Sequence, residues 1–196
     1  ERRRCARGDD TDEFHALLAP RRGSQPVAGF QICDGLPRHG KSRLCAVEFP
    51  TWYLARNERR QVMCASYSGH LSSKHSRDAL DKINSAGFRH LFPSFHLRGK
   101  KQSCSDWLTT SGGGYMATSV TGSATGMGAD LLIIDDPIKD FADANSEGLR
   151  QKTWEWYLST AFTRLSPNGA AVIIMCMTGD TPVRMADGLE RRLRDI

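Results

Sequence analysis

Residues 35–42, Gly35-Leu36-Pro37-Arg38-His39-Gly40-Lys41-Ser42, match G-x-x-x-x-G-K-[ST] at every constrained position. Glycines at the first and sixth places let a loop curl until successive backbone N–H groups point inward at an anion. A helix starting on the lysine adds the positive end of its dipole. A nucleotide's phosphate chain fills such a cradle: Lys41 reaches the β- and γ-phosphates, and the Ser42 hydroxyl ligates Mg²⁺. ATP and Mg²⁺ are the implied cofactors. The competing reading is an ordinary glycine turn beside a lysine, and His39 has no evident catalytic role in either.

A Mg²⁺ ion held this way also needs a carboxylate at the end of a neighbouring buried strand. Leu131-Leu132-Ile133-Ile134-Asp135 supplies one, 94 residues beyond Lys41, and Asp136 follows at once. In strand geometry two successive side chains leave opposite faces, so the acids divide the work. Asp135 suits the metal, and Asp136 suits orienting an attacking water. Taken alone, Asp-Asp-Pro equally suits a turn that closes a core strand. Hydrolysing proteins with this loop often carry glutamate in the second place, and aspartate is one methylene shorter.

The surrounding elements must position these groups. Residues 27–34 (VAGFQICD) read as a short buried strand, and Lys41 to about Leu54 as a helix with Leu44, Val47 and Phe49 inward. Pro50 marks its end or a kink. Residues 61–67 are a second strand and 69–86 a helix. Residues 103–121, around Gly112-Gly113-Gly114, suggest a hairpin or arm. Residues 130–135 form the clearest strand, 144–164 a helix with Trp154, Trp156, Tyr157 and Phe162 on or near its buried face, and 170–176 a last buried strand. The Trp/Tyr cluster reads as core rather than a base-stacking platform. Strands alternating with helices predict an α/β fold with a mainly parallel sheet.

Composition narrows the class. Of 196 residues, 39% are hydrophobic and 25% charged, which excludes a disordered or collagen-like chain. No apolar run approaches the roughly 18 residues a membrane-spanning helix needs, and no signal peptide is visible. The chain reads as an intracellular protein. The six cysteines lack metal-ligand spacing; five read as small buried residues or free thiols, with Cys176 set apart. Residues 36–101 carry 13 Lys/Arg against 4 Asp/Glu, a bias that favours polyanions. Arg98, Lys100 and Lys101 make a basic loop suited to DNA phosphates or to solvent. Arg164 suits either charge stabilisation or a surface ion pair.

Together these residues resemble the large terminase subunit of tailed bacteriophages, from about Leu36 to Met175. The markers are the phosphate loop, Phe49-Pro50 with Trp52, Ala65-Ser66-Tyr67-Ser68, the three glycines at 112–114, Gly122 and Thr125-Gly126. Residues 132–140 (LIIDDPIKD), Trp154 to Tyr157, Thr163-Arg164-Leu165 and the strand from Ala170 to Met175 complete them. The resemblance implies a RecA-like ATPase that drives double-stranded DNA into a procapsid in a bacterial host's cytoplasm. It also implies a homo-oligomeric ring working with a portal protein and a small subunit. The family's nuclease is not seen, so no DNA-cleaving residue carries over. Residues 1–30 do not look like the family's adenine-side segment.

After Met175 the family continues into a coupling motif. Here the chain runs Cys176-Met177-Thr178-Gly179-Asp180-Thr181, then Ala186-Asp187-Gly188, which resembles the opening block of an intein. Such an element needs a first-position cysteine, whose thiolate attacks the preceding carbonyl, that of Met175. A strand, a Gly-Asp turn and a second strand of the ATPase are the alternative. The expected division is an irregular segment over 1–26, an ATPase domain over 27–175 and an intein start over 176–196, the whole a fragment of a longer product.

Overall fold

The apolar run at 131–134 lies in the middle of the sheet. The computed structural model describes residues 30–33, 40–99, 102–124, 126, 128–174, 182–184 and 190–192, with backbone alone for the first and last two stretches and Phe141. Strands β1 (Phe30–Cys33), β2 (Gln61–Ser66), β3 (Asp106–Leu108), β4 (Gly114–Ser119), β5 (Ala129–Asp135) and β6 (Leu165–Ile174) form one sheet. Its order is β1-β6-β5-β2-β4-β3. All neighbours run parallel except β3, which turns back on β4. A separate hairpin pairs β7 (Pro182–Arg184) with β8 (Glu190–Arg192).

Alternation along the central strands divides the apolar side chains between two layers. Val62, Cys64, Leu131 and Ile133 pack under helix α1 (residues 41–56) and helix α2 (Gly69–Asn84). Met63, Ala65, Leu132 and Ile134 face Trp156 and Tyr157, at the join of helix α5 (Glu147–Trp156) and the turn after it. Trp156 donates its indole N–H to the Gly122 carbonyl at 3.0 Å, as befits a core tryptophan. The short helices α3 (Ala86–Leu91) and α4 (Phe141–Ala144) complete the set. No helix among the described residues is long and apolar enough to cross a membrane.

Several expectations need correction. Helix α1 is α-wound over Lys41–Arg43, π-wound over Leu44–Glu48 and α-wound again over Phe49–Arg56, with Pro50 in the first turn of that last stretch rather than at its end. A π-turn adds a residue to the winding and rotates the remainder of the helix, so Ala46 and Val47 face the core and Leu44 is 62% exposed. The helix expected over 69–86 stops at Asn84. Ser85 caps α3 by accepting the Phe88 N–H. The helix expected from 144 begins at Glu147 and ends in a π-turn at Tyr157–Ala161 and a 3-10 turn at Phe162–Arg164, which leaves Phe162 exposed. Strand β6 starts at Leu165, ahead of the expected 170, because a bulge absorbs the residues between Leu165 and Ala170. The cysteines whose side chains are described agree with the expectation of free thiols, with Cys64 buried and Cys45 and Cys104 partly exposed.

The hairpin at 103–121 exists, but its second strand is no free arm: β4 pairs in parallel with β2 over its whole length. The three glycines follow from this docking. Gly112 takes φ +90°, and a Cβ on Gly113 would strike the carbonyl oxygens of Arg60 and Glu58. Trp107 stacks on Tyr115 and donates to Ser76 Oγ at 3.0 Å, joining the hairpin to α2.

Burial pushes the Cys64 thiol up from 9.0 to about 12, with the Asp135 charge adding to the push against a hydrogen bond to Tyr115. Burial likewise holds the Tyr115 hydroxyl well above its ordinary value. Both groups keep their protons longer in the folded chain, so the stability they lend is complete below pH 9 and lost as pH rises toward 12. Denaturation midpoints measured from pH 8 upward are expected to fall, with slopes up to about 1.4 kcal/mol per pH unit for each such proton. Cys64→Ala should flatten that slope; an unchanged slope would refute the assignment.

Candidate active site

Of the chemistry-bearing residues, Ser42 and Asp135 meet at the carboxyl end of the sheet. Gly40 takes φ +78°, which glycine accepts without strain, and its carbonyl receives the Leu44 N–H at 2.8 Å. Lys41 and Ser42 follow on the first turn of α1. Ser42 Oγ donates to Asp135 Oδ1 at 2.9 Å. The contact joins residues 93 positions apart and sets the start of α1 against the end of β5. Gly35, Leu36, Pro37, Arg38 and His39 lie outside the described residues, as does Cys176.

Asp135 is wholly buried and continues the row of Leu131 and Ile133 toward the α1–α2 layer. Its second oxygen is also engaged. His75, on α2 and 5% exposed, donates from Nε2 to Asp135 Oδ2 at 2.6 Å. Ser66, paired with Asp135 across the sheet, is buried too, and its hydroxyl finds no partner among the described residues. One carboxylate therefore meets a hydroxyl and an imidazole.

Neither His75 nor Ser66 has a role predictable from the sequence motifs. The signal for His75 was the buried stripe of α2: Ser72, His75, Ser76, Ala79 and Ile83 share one face, and its first half is polar. A polar stripe turned inward must meet a polar partner.

Strand alternation does not govern Asp136. Strand β5 ends at Asp135, and Asp136 takes φ +45°, a left-handed conformation that aspartate and asparagine tolerate better than most residues. Its N–H donates to the Ile174 carbonyl at 3.0 Å, and its carbonyl accepts the Tyr67 N–H at 3.1 Å. The backbone of Asp136 thus ties the ends of β6 and β2 beside the buried acid. Arg164 lies at the opposite end of β5, where Ala129 pairs with Leu165.

The donors suit Mg²⁺. No group of three or more His, Cys, Asp or Glu residues among those described could cage a metal by itself. A hard cation held by one hydroxyl, one carboxylate, waters and the ligand's phosphates needs no such cage. The Ser66 hydroxyl, buried and without a hydrogen-bond partner among the described residues, is one more polar group at this end of the sheet, where such an ion's water could find an acceptor or donor.

The model of the family described as "Terminase large subunit, T4likevirus-type, N-terminal" matches residues 35–188. The chain belongs to this terminase family. Among solved structures, the HK97 bacteriophage large terminase shares the fold at TM-score 0.51 and 14% identity, over 90% of this chain and 34% of its own. The large-terminase ATPase domain of Thermus phage P74-26 gives 0.49 and 15%, over 86% of this chain and 70% of its own. The large terminase of a thermophilic bacteriophage gives 0.46 and 14%, over 83% of this chain and 37% of its own. This terminase chain therefore spans about a third of the HK97 protein's length. No curated protein matches it by sequence.

The left-handed turn at Asp136 is testable through stability. Asp136→Asn is expected to fold as the parent does, whereas Asp136→Ala costs about 1 kcal/mol. Asp136→Gly should be more stable than the alanine variant in urea unfolding, and the reverse order would remove the backbone explanation.

Proposed function

We propose that this chain is the ATP-hydrolysing motor domain of a phage terminase large subunit, with a RecA-like fold and an ATP·Mg²⁺ site at residues 35–42 and 135–136. The observation that carries the reading is the 2.9 Å bond between Ser42 and Asp135. It joins the last residue of a phosphate-loop motif to the acid that such a loop requires, across 93 residues. The strand order supports the RecA-like assignment, since β6 lies between the strand that enters the loop and the strand that carries the acid.

In this reading Lys41 places its charge on the β- and γ-phosphates, and the loop's backbone N–H groups hold their oxygens. Ser42 would ligate a Mg²⁺ ion and Asp135 would hold it through water, and the ion would supply positive charge against the phosphates. Asp136, displaced from the strand by its left-handed turn, orients the attacking water and receives its proton. Double-stranded DNA, a portal protein, a small subunit and a homo-oligomeric ring are the partners that family membership suggests, at work in a bacterial host's cytoplasm. Lys41→Ala should abolish turnover, and Asp136→Asn should bind ATP without hydrolysing it. Hydrolysis by Lys41→Ala at the parent's rate would sink the assignment.

The last residues carry a second proposal, that an intein begins at Cys176 and the ATPase domain ends at Met175. It is supported by the Cys176, Gly179-Asp180-Thr181 and Ala186-Asp187-Gly188 sequence, and by a hairpin that pairs only with itself among the described residues. Against it, the family match continues across Cys176 to residue 188. Mass spectrometry of the product expressed with its downstream reading frame decides between them. Excision from Cys176 onward, blocked by Cys176→Ala, is expected; residues 176–196 retained in an active protein would end the intein proposal.

A further inference from the structure

We propose that His75 is a positioning residue for the metal-holding carboxylate, through which helix α2 sets the orientation of Asp135. The proposal rests on the nucleotide site described above and adds to it a residue outside the loop and the acidic strand.

The two oxygens of Asp135 have different partners. Oδ1 receives the Ser42 hydroxyl at 2.9 Å and Oδ2 receives His75 Nε2–H at 2.6 Å. A carboxylate held at one oxygen can still rotate about its last bond; held at both, it cannot. The grip of His75 therefore fixes which edge of the carboxylate faces Ser42 and any cation beside it. Ligands held by an outer partner in this way bind metal more tightly, because the orientation is already set.

His75 is itself buried. It lies on the buried stripe of α2, whose Ala79 and Ile83 belong to the hydrophobic core. Ser76, the next residue, accepts the Trp107 indole N–H at 3.0 Å, which fastens the same turn to the β3–β4 hairpin. Ser68 caps the helix by accepting the Leu71 N–H, one residue after Tyr67 donates to the Asp136 carbonyl. Helix α2 thus holds Asp135 by a side chain and Asp136 through the chain that leads into it. Its displacement would alter both acids together.

The test reads metal binding without turnover, as the Mg²⁺ dependence of the rise in thermal midpoint that ADP produces in this chain. His75→Leu removes the donor and keeps an apolar filling. It is expected to raise the Mg²⁺ concentration for half the effect roughly tenfold or more. His75→Gln, whose amide N–H reaches the place of Nε2, should recover most of that loss, and His75→Asn, one bond shorter, should not. In an Asp135→Asn background His75→Leu should add nothing, since its action passes through Asp135. An unchanged Mg²⁺ midpoint in His75→Leu, or its full loss repeated in the Asp135→Asn background, would overturn the proposal. Should the leucine variant fail to fold, equal behaviour of the Gln and Asn variants would overturn it, and retention by Gln alone would support it. Lys41→Ala separates the two levels. An ADP response surviving that change indicts the nucleotide site itself, whereas its loss beside an indifferent His75 indicts only the positioning role.

Discussion

Asp135 is a carboxylate with no exposed surface, at the end of a strand whose preceding four residues are all apolar. A charge so placed is tolerated only when its oxygens are met by donors, because leaving it bare costs several kcal/mol. The fold meets them from two directions, with a hydroxyl from the start of α1 and an imidazole from the middle of α2. Both helices lie on the same face of the sheet, and their packing over Val62, Cys64, Leu131 and Ile133 fixes how closely they approach the acid. Apolar burial thus acts as an aligning jig. The same face leaves Cys64, Tyr115 and Ser66 beneath or beside the carboxylate, in surroundings with little water to share.

Parallel topology makes this convergence possible. With β1, β6, β5, β2 and β4 running one way, their carboxyl ends lie along one edge, and the turns that leave them cluster there. The tie between the Asp136 backbone, β6 and the exit of β2 draws that edge together. A left-handed residue at the join ends the strand abruptly enough for the two adjacent acids to have different surroundings.

Much of this was legible in the sequence, for a physical reason. The helix start at Gly40-Lys41-Ser42 and the apolar run ending in Asp135 are each written in one short stretch, and the structure brings their ends together. The central strands were legible because burial on both faces leaves an unbroken apolar signature. His75 was not legible as a site residue. It acts on an acid 60 positions away, and a lone histidine on an inward stripe reads first as core. The outward turn of Leu44 was equally hidden, since a regular 3.6-residue period does not anticipate the π-wound stretch at 44–48. The alternation argument failed at Asp136 because it assumed a strand that had already ended.

The pairing of β1 with β6 has a consequence in time. Phe30 lies opposite Ala171, so β1 finds its neighbour roughly 140 residues later. During synthesis β1 leaves the ribosome ahead of β6 by on the order of ten seconds at ordinary elongation rates. Over that interval β2, β4 and β5 can pair while β1 still lacks its partner. A nascent chain of this design closes the β1 edge of its sheet after the strands at its centre have had time to pair.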